Sequence, residues 1–158
     1  MKTIKIIFLI VSFSLSFGCS SQKDTGNLGN VNSNANAENN AANSNLEELK
    51  LLINVPFETE DLVWKKDDDG KKLVAVMRFS PEDADRIAED SGPSQGTASI
   101  SPESWYPSEL TAQSETSGNN GLDGSLYDPK LYFLPPYTKG RLIRIEGTNY
   151  FLLELSGY

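Results

Sequence analysis

Between residues 20 and 45 the chain changes character so abruptly that only the residues beyond this segment can carry a core. Nine of these 26 residues are asparagine, most of the others are Ser, Ala or Gly, and Leu28 and Val31 are the only bulky aliphatics. Burial from such a segment cannot offset the roughly 1–2 kcal/mol of backbone entropy lost per ordered residue. The segment therefore reads as a disordered tether, with an end-to-end distance of about 28 Å. Asn-rich tracts can also aggregate, but this one is short and the spacer reading leads. The folding problem is confined to a single domain over residues 46–158.

Ahead of the tether, Lys2 and Lys5 precede an apolar stretch of 12 residues, Ile6 to Phe17. A bilayer span needs about 20 residues, so this stretch fits the apolar region of a cleavable signal peptide over residues 1–18. It ends at Ser16-Phe17-Gly18-Cys19. In this leader the chain resembles bacterial lipoproteins, whose lipobox places small residues before a cysteine that becomes the first mature residue. Gly18 and Cys19 match; Ser16 stands where the pattern prefers leucine. The resemblance implies diacylglycerol and palmitate on Cys19 and attachment to a membrane of the bacterial cell envelope. With Ser20 following, that is the outer membrane where the organism has one. Ordinary signal peptidase could cut the same bond without adding lipid, and that alternative stays open.

Charge then narrows the partners. The chain has 14 basic and 22 acidic residues. Removing the leader with Lys2 and Lys5 leaves 12 against 22, a net of −10. Such a surface repels phosphate backbones, so no nucleic-acid partner is expected, and it opposes adhesion to anionic headgroups. Histidine is absent and Cys19 is the single cysteine. Ser-His, Cys-His and His-ligated metal chemistry are thereby excluded, as is an intrachain disulfide. No cofactor or metal is expected.

Within 46–158 the periodicities predict an α+β domain. Ser44 with Glu47 reads as a capping box ahead of a helix over 46–53, which Pro56 ends. Leu62 to Trp64 and Leu73 to Phe79 flank Asp69-Gly70, a hairpin signal. In the second strand Leu73, Ala75, Met77 and Phe79 share one face while Val74 and Val76 occupy the other, so that strand is central and covered on both sides. Ser80-Pro81-Glu82-Asp83 starts a helix with inner stripe Ala84, Ile87 and Ala88, stopped at Gly92-Pro93. Ser101-Pro102-Glu103 repeats the start signal before Trp105, but Pro107 keeps that element short or kinked. Residues 113–125 read as a polar loop and 126–140 as an extended aromatic stretch. Leu142 to Glu146 and Tyr150 to Leu155 form a second hairpin. Two hairpins with intervening helices make an antiparallel sheet of about four strands packed by two or three short helices.

Two acidic runs suggest calcium without its spacing. Asp67-Asp68-Asp69-Gly70 and Asn119 to Gly124 both lack the alternating ligands and terminal glutamate of a calcium loop, and read as solvated turns. Acidic pairs for hydrolysis are not identifiable from sequence, because the distance between carboxyl groups decides them. Asp83, Glu103 and Glu109 read as helix-start acids. Aromatic residues offer the best candidate site. Trp105 and Phe133 are expected in the core, whereas Tyr106, Tyr127, Tyr132 and Tyr137 are candidates to line a binding groove near Pro107, Pro135 and Pro136. Pro135-Pro136-Tyr137 resembles a proline-rich docking peptide, but reads first as a stiff connection. The function expected is a non-enzymatic, lipid-anchored envelope protein that binds or assembles with a protein or polysaccharide. The alternative is a carboxylate-based hydrolase acting on an envelope glycan.

Overall fold

A computed structural model describes residues 42–158 except residue 119. The expected signal peptide over residues 1–18, Cys19 and residues 20–41 of the expected tether lie outside the described residues.

Burial on both faces sets the architecture. Helix α1 (Leu46–Lys50) leads into strands β1 (Asp61–Lys66) and β2 (Lys72–Arg78). Helix α2 (Pro81–Asp90), strand β3 (Gly96–Ile100), helix α3 (Ser108–Thr116) and strand β4 (Leu122–Tyr127) follow. A 3-10 turn (Pro129–Tyr132), β5 (Lys139–Ile145) and β6 (Tyr150–Ser156) complete the domain. All neighbouring strands are antiparallel, in the order β1-β2-β6-β5-β4-β3. The domain is thus α+β with one antiparallel sheet and three α-helices among the described residues, but the sheet has six strands where about four were expected. The two added strands, β3 and β4, hold small and polar residues whose Gly and Ser content resembles loop composition.

The predicted hairpins and the helix after Ser80 form where the sequence puts them. Leu73, Ala75, Met77 and Phe79 enter one core with Trp64, Leu142, Phe151 and Leu153, under Leu49 of α1 and Ala84 and Ile87 of α2. Val76 enters the opposite core with Ile143, Leu152 and Leu110 of α3. Each large aliphatic side chain so buried contributes about 1.5–3 kcal/mol. Ser80 accepts a bond from the backbone N–H of Asp83 at 3.1 Å, and Pro81 occupies the first turn of α2. In the β1–β2 turn, Gly70 has φ +65°, which favours glycine, and Asp67 accepts from the backbone N–H of Lys72 at 2.9 Å.

Two helix starts differ from the sequence reading. Asn45, rather than Ser44, caps α1 by accepting from the N–H groups of Glu47 and Glu48, and α1 is followed by a turn rather than running on to residue 53. Asn43 makes a two-way backbone pair with Trp64, 2.8 Å in each direction. The last asparagines of the tract are therefore part of the domain. The start signal at Ser101 gives only a turn, and α3 begins after Pro107. A proline disfavours helical geometry in the residue before it, so Tyr106 cannot continue a helix started at Ser101.

Two deeply buried tyrosines give opposite expectations. Tyr132 is 0% exposed and its hydroxyl has no hydrogen-bond partner among the described residues, whereas the Tyr137 hydroxyl donates to the carbonyl of Gly70 at 2.8 Å. Urea unfolding is expected to show Tyr137→Phe less stable by about 1 kcal/mol and Tyr132→Phe unchanged or more stable. Burial also raises the pKa of Tyr132 above its usual 10.0. The unfolded chain then loses that proton first, so the stability this group confers is full below about pH 10 and declines above it. Tyr132→Phe should flatten the alkaline fall in stability by up to about 1.4 kcal/mol per pH unit; an unchanged slope would refute this.

Candidate functional site

The helices leave one part of the sheet bare. On the face covered by α1 and α2, strands β3, β4 and β5 carry Thr97, Ser99, Asp123, Ser125 and Arg144, and Glu146 follows at the start of the β5–β6 turn. Together with the β5–β6 turn, Gly147 to Asn149, they line an open trough of about 920 Å³. Small residues on β3 and β4 make the floor shallow. Arg144 forms the wall toward the helix layer: its guanidinium pairs with Asp85 of α2 at 2.9 Å and lies 5.8 Å from the Phe151 ring centroid.

The floor is acidic. The backbone N–H of Glu146 donates to the carbonyl of Asp123 at 2.9 Å, so these two residues oppose one another across β4 and β5. Like charges in that relation are destabilising. Among the described residues neither carboxylate has a side-chain partner, since the nearby Arg144 is taken by Asp85. Hydroxyls from Thr97, Ser99, Ser125 and Thr148 complete the lining, and no aromatic ring contributes.

Gly124 holds the floor together. A Cβ at this position would meet the Arg144 carbonyl oxygen at 2.5 Å and the Ile143 Cγ2 at 2.6 Å. Only a residue without a Cβ lets β4 approach β5 so closely.

The tyrosines named from the sequence do not converge. Tyr132 and Tyr137 are buried in the core under α1 and α2, with Tyr127 half-buried beside them, while Tyr106 is buried in the opposite core. Burial, then the neighbouring Glu103 and Glu154, raise the pKa of Tyr106, against a lowering by Arg141. Trp105 and Phe133, expected in the core, are instead only partly buried at its margins. The Trp105 indole donates to Glu103 at 2.7 Å, and the Lys65 ammonium lies 5.5 Å from its ring centroid. Tyrosine rings fill core volume here among a majority of aliphatic side chains. Pro135-Pro136-Tyr137 is not presented for docking, since Tyr137 is held inward by Gly70.

A second cluster lies in a cleft of about 260 Å³ on the α3 face, bordered by Trp105 and Tyr106. The Tyr150 hydroxyl lies 2.9 Å from Asp61 Oδ2 and 3.1 Å from Glu109 Oε2. Arg78 reaches the same Glu109 carboxylate at 3.3 Å and stacks 5.6 Å over the Tyr150 ring. Burial, then the hydrogen bonds to both acids, raise the pKa of Tyr150. The cluster fastens α3 to β1, β2 and β6. No group of three or more acidic or cysteine side chains suited to a metal occurs among the described residues.

The trough escapes a sequence reading keyed to aromatic residues. Its signal is the alternation Thr97-Ala98-Ser99-Ile100 and Leu122-Asp123-Gly124-Ser125-Leu126, polar on one face and apolar or glycine on the other. Compared with known protein families, curated proteins and solved structures, the chain gives no match.

Gly124→Ala should destabilise the domain by about 1–3 kcal/mol in chemical denaturation, because the Arg144 carbonyl belongs to the sheet backbone and the Ile143 side chain is fully buried. Ser125→Ala, next to it, should change stability by less than about 0.5 kcal/mol. Equal effects would show that the close approach at Gly124 is unimportant.

Proposed function

We propose that the chain is a lipid-anchored protein of the bacterial cell envelope whose domain binds a protein partner through the acidic trough. The observation that carries this reading is the bare section of sheet itself, with Asp123 and Glu146 side by side and no side-chain cation between them among the described residues. A surface serving only the fold would separate such charges or pair them, because their repulsion lowers stability. A partner bearing a lysine or arginine relieves it. The absence of aromatic rings from the lining supports a protein ligand over a polysaccharide, since sugar faces are commonly covered by Tyr and Trp. The leader and Cys19 supply the anchor in this reading, and the Asn-rich segment supplies the reach.

The second reading, a hydrolase for an envelope glycan, is supported by Asp61 and Glu109 meeting on either side of the Tyr150 hydroxyl beside Trp105. The same bonds, with those from Arg78, also explain the pair as a fastening for α3. Hydrolysis of purified envelope glycan that is abolished by Glu109→Gln would favour the enzyme.

Two measurements test the leading reading. Cys19→Ser should move the protein from the membrane pellet to the soluble fraction after a high-salt wash; retention in the pellet refutes the anchor. In-cell crosslinking should recover one dominant protein partner with the parent chain and lose it with the double variant Asp123→Lys, Glu146→Lys. A partner recovered equally with both would refute binding at the trough.

A further inference from the structure

The two edges of the sheet are treated differently. At the β1 edge, the backbone of Asn43 pairs with Trp64 in both directions, and Lys65 and Lys66 come next on the strand. Extra pairing and lysines both discourage another strand from adding there. The β3 edge, Gly96-Thr97-Ala98-Ser99-Ile100, has no charge and no proline, and no strand lies beyond it among the described residues. At its start, the Ser94 hydroxyl donates to the Gly96 carbonyl at 3.1 Å and accepts from the Gly96 N–H at 3.4 Å. The strand beyond that point is open and exposed at Thr97 and Ser99.

The ladder identifies which backbone groups are free. Because the Asp123 carbonyl is bonded to β5, alternation turns the backbone of Gly124 toward β3, where it faces Ala98. The N–H and C=O groups of Thr97 and Ser99 then point out of the sheet. Ser99 is also the residue paired with Asp123. A strand added beyond β3 would lie two strand spacings, about 9.6 Å, from β4. The short side chains of Thr97 and Ser99 leave the way across the trough floor clear for a long side chain from that strand.

We propose that the partner docks as an extended segment that adds a seventh strand at the β3 edge and extends a lysine or arginine across Ser99 to Asp123, with Glu146 adding its negative charge from one strand further back. Backbone pairing at Thr97 and Ser99 supplies the grip, and the cation supplies the selection. The domain's entry point does not obstruct this edge: Asn43 pairs along the outside of β1, six strand spacings or about 29 Å away across the sheet. The inference rests on the binding reading of the trough, and is independent of the lipid anchor.

The test uses the full-length chain in detergent with a labelled, end-capped nonapeptide of alternating threonine and valine carrying one central lysine. The expected results are saturable binding, roughly tenfold slower amide hydrogen exchange at Thr97 and Ser99, and at least about tenfold weaker binding when the peptide lysine is replaced by glutamate. Ser99→Pro should abolish binding by removing an outward donor. If that variant misfolds, a peptide N-methylated at alternate residues makes the same test from the other side. Absence of protection at Thr97 and Ser99, or equal binding of the glutamate peptide, overturns the proposal. So does protection of both amides without peptide in a chain that sediments as a dimer, which would give the edge to a second copy. Loss of the in-cell crosslink on charge reversal at the trough, together with failure here, leaves trough binding standing and removes only strand addition.

Discussion

The fold depends on the pairing of β2 with β6. These interior strands run side by side from Lys72–Ser156 to Arg78–Tyr150. Each supplies side chains to both cores: Leu73, Ala75, Met77, Phe151, Leu153 and Leu155 to one, Val76, Tyr150 and Leu152 to the other. A one-residue slip would exchange the faces of an entire strand, placing Phe151 under α3 and Leu152 under α2, so the register is fixed from two sides at once. Helices α1 and α2 need the first face and α3 the second. Neither layer has a surface to pack on until this pair has formed.

The limits of legibility in the sequence stem from that dependence. β2 was legible because apolar residues alternate with apolar residues of another size, a pattern that solvent-facing strands do not show. α2 was legible because cap, proline and acids coincide at Ser80 to Asp83. β3, α3 and β4 were not, because each is one-sided and short, and the buried side rests on one or two residues: Ile100, Leu110 and Leu122. With so little apolar content, tertiary packing rather than local propensity decides their conformation. The capping error has the same origin in miniature, since Ser44 and Asn45 are equally good caps and the pairing of Asn43 with Trp64 selects between them.

The tyrosines failed as site candidates for an energetic reason. A tyrosine ring used to fill core volume carries its hydroxyl into the core with it. The cost is small where a carbonyl is available, as Gly70 is to Tyr137, and remains where none is, as at Tyr132. Aromatic residues in weakly regular segments therefore mark places where the chain packs onto the sheet rather than places where it meets a ligand. Acidic and hydroxyl side chains on a short strand are less conspicuous, yet they make the surface that the helix layers leave uncovered.

The bare trough and the unprotected β3 edge have a common physical cause. Covering β3 and β4 with another helix would require apolar side chains on the face now occupied by Thr97, Ser99, Asp123 and Ser125. Those residues keep the face polar, and their short side chains leave the floor low beside the wall made by Arg144. Polar side chains protect this face against non-specific burial, but they do nothing for the backbone along the outer margin of β3. Five residues make too short an edge for indiscriminate pairing to be strong, and the opposed carboxylates behind it penalise an approaching acidic strand. An edge that is short, neutral and backed by negative charge discriminates among extended segments by their charge, which an apolar edge would not do.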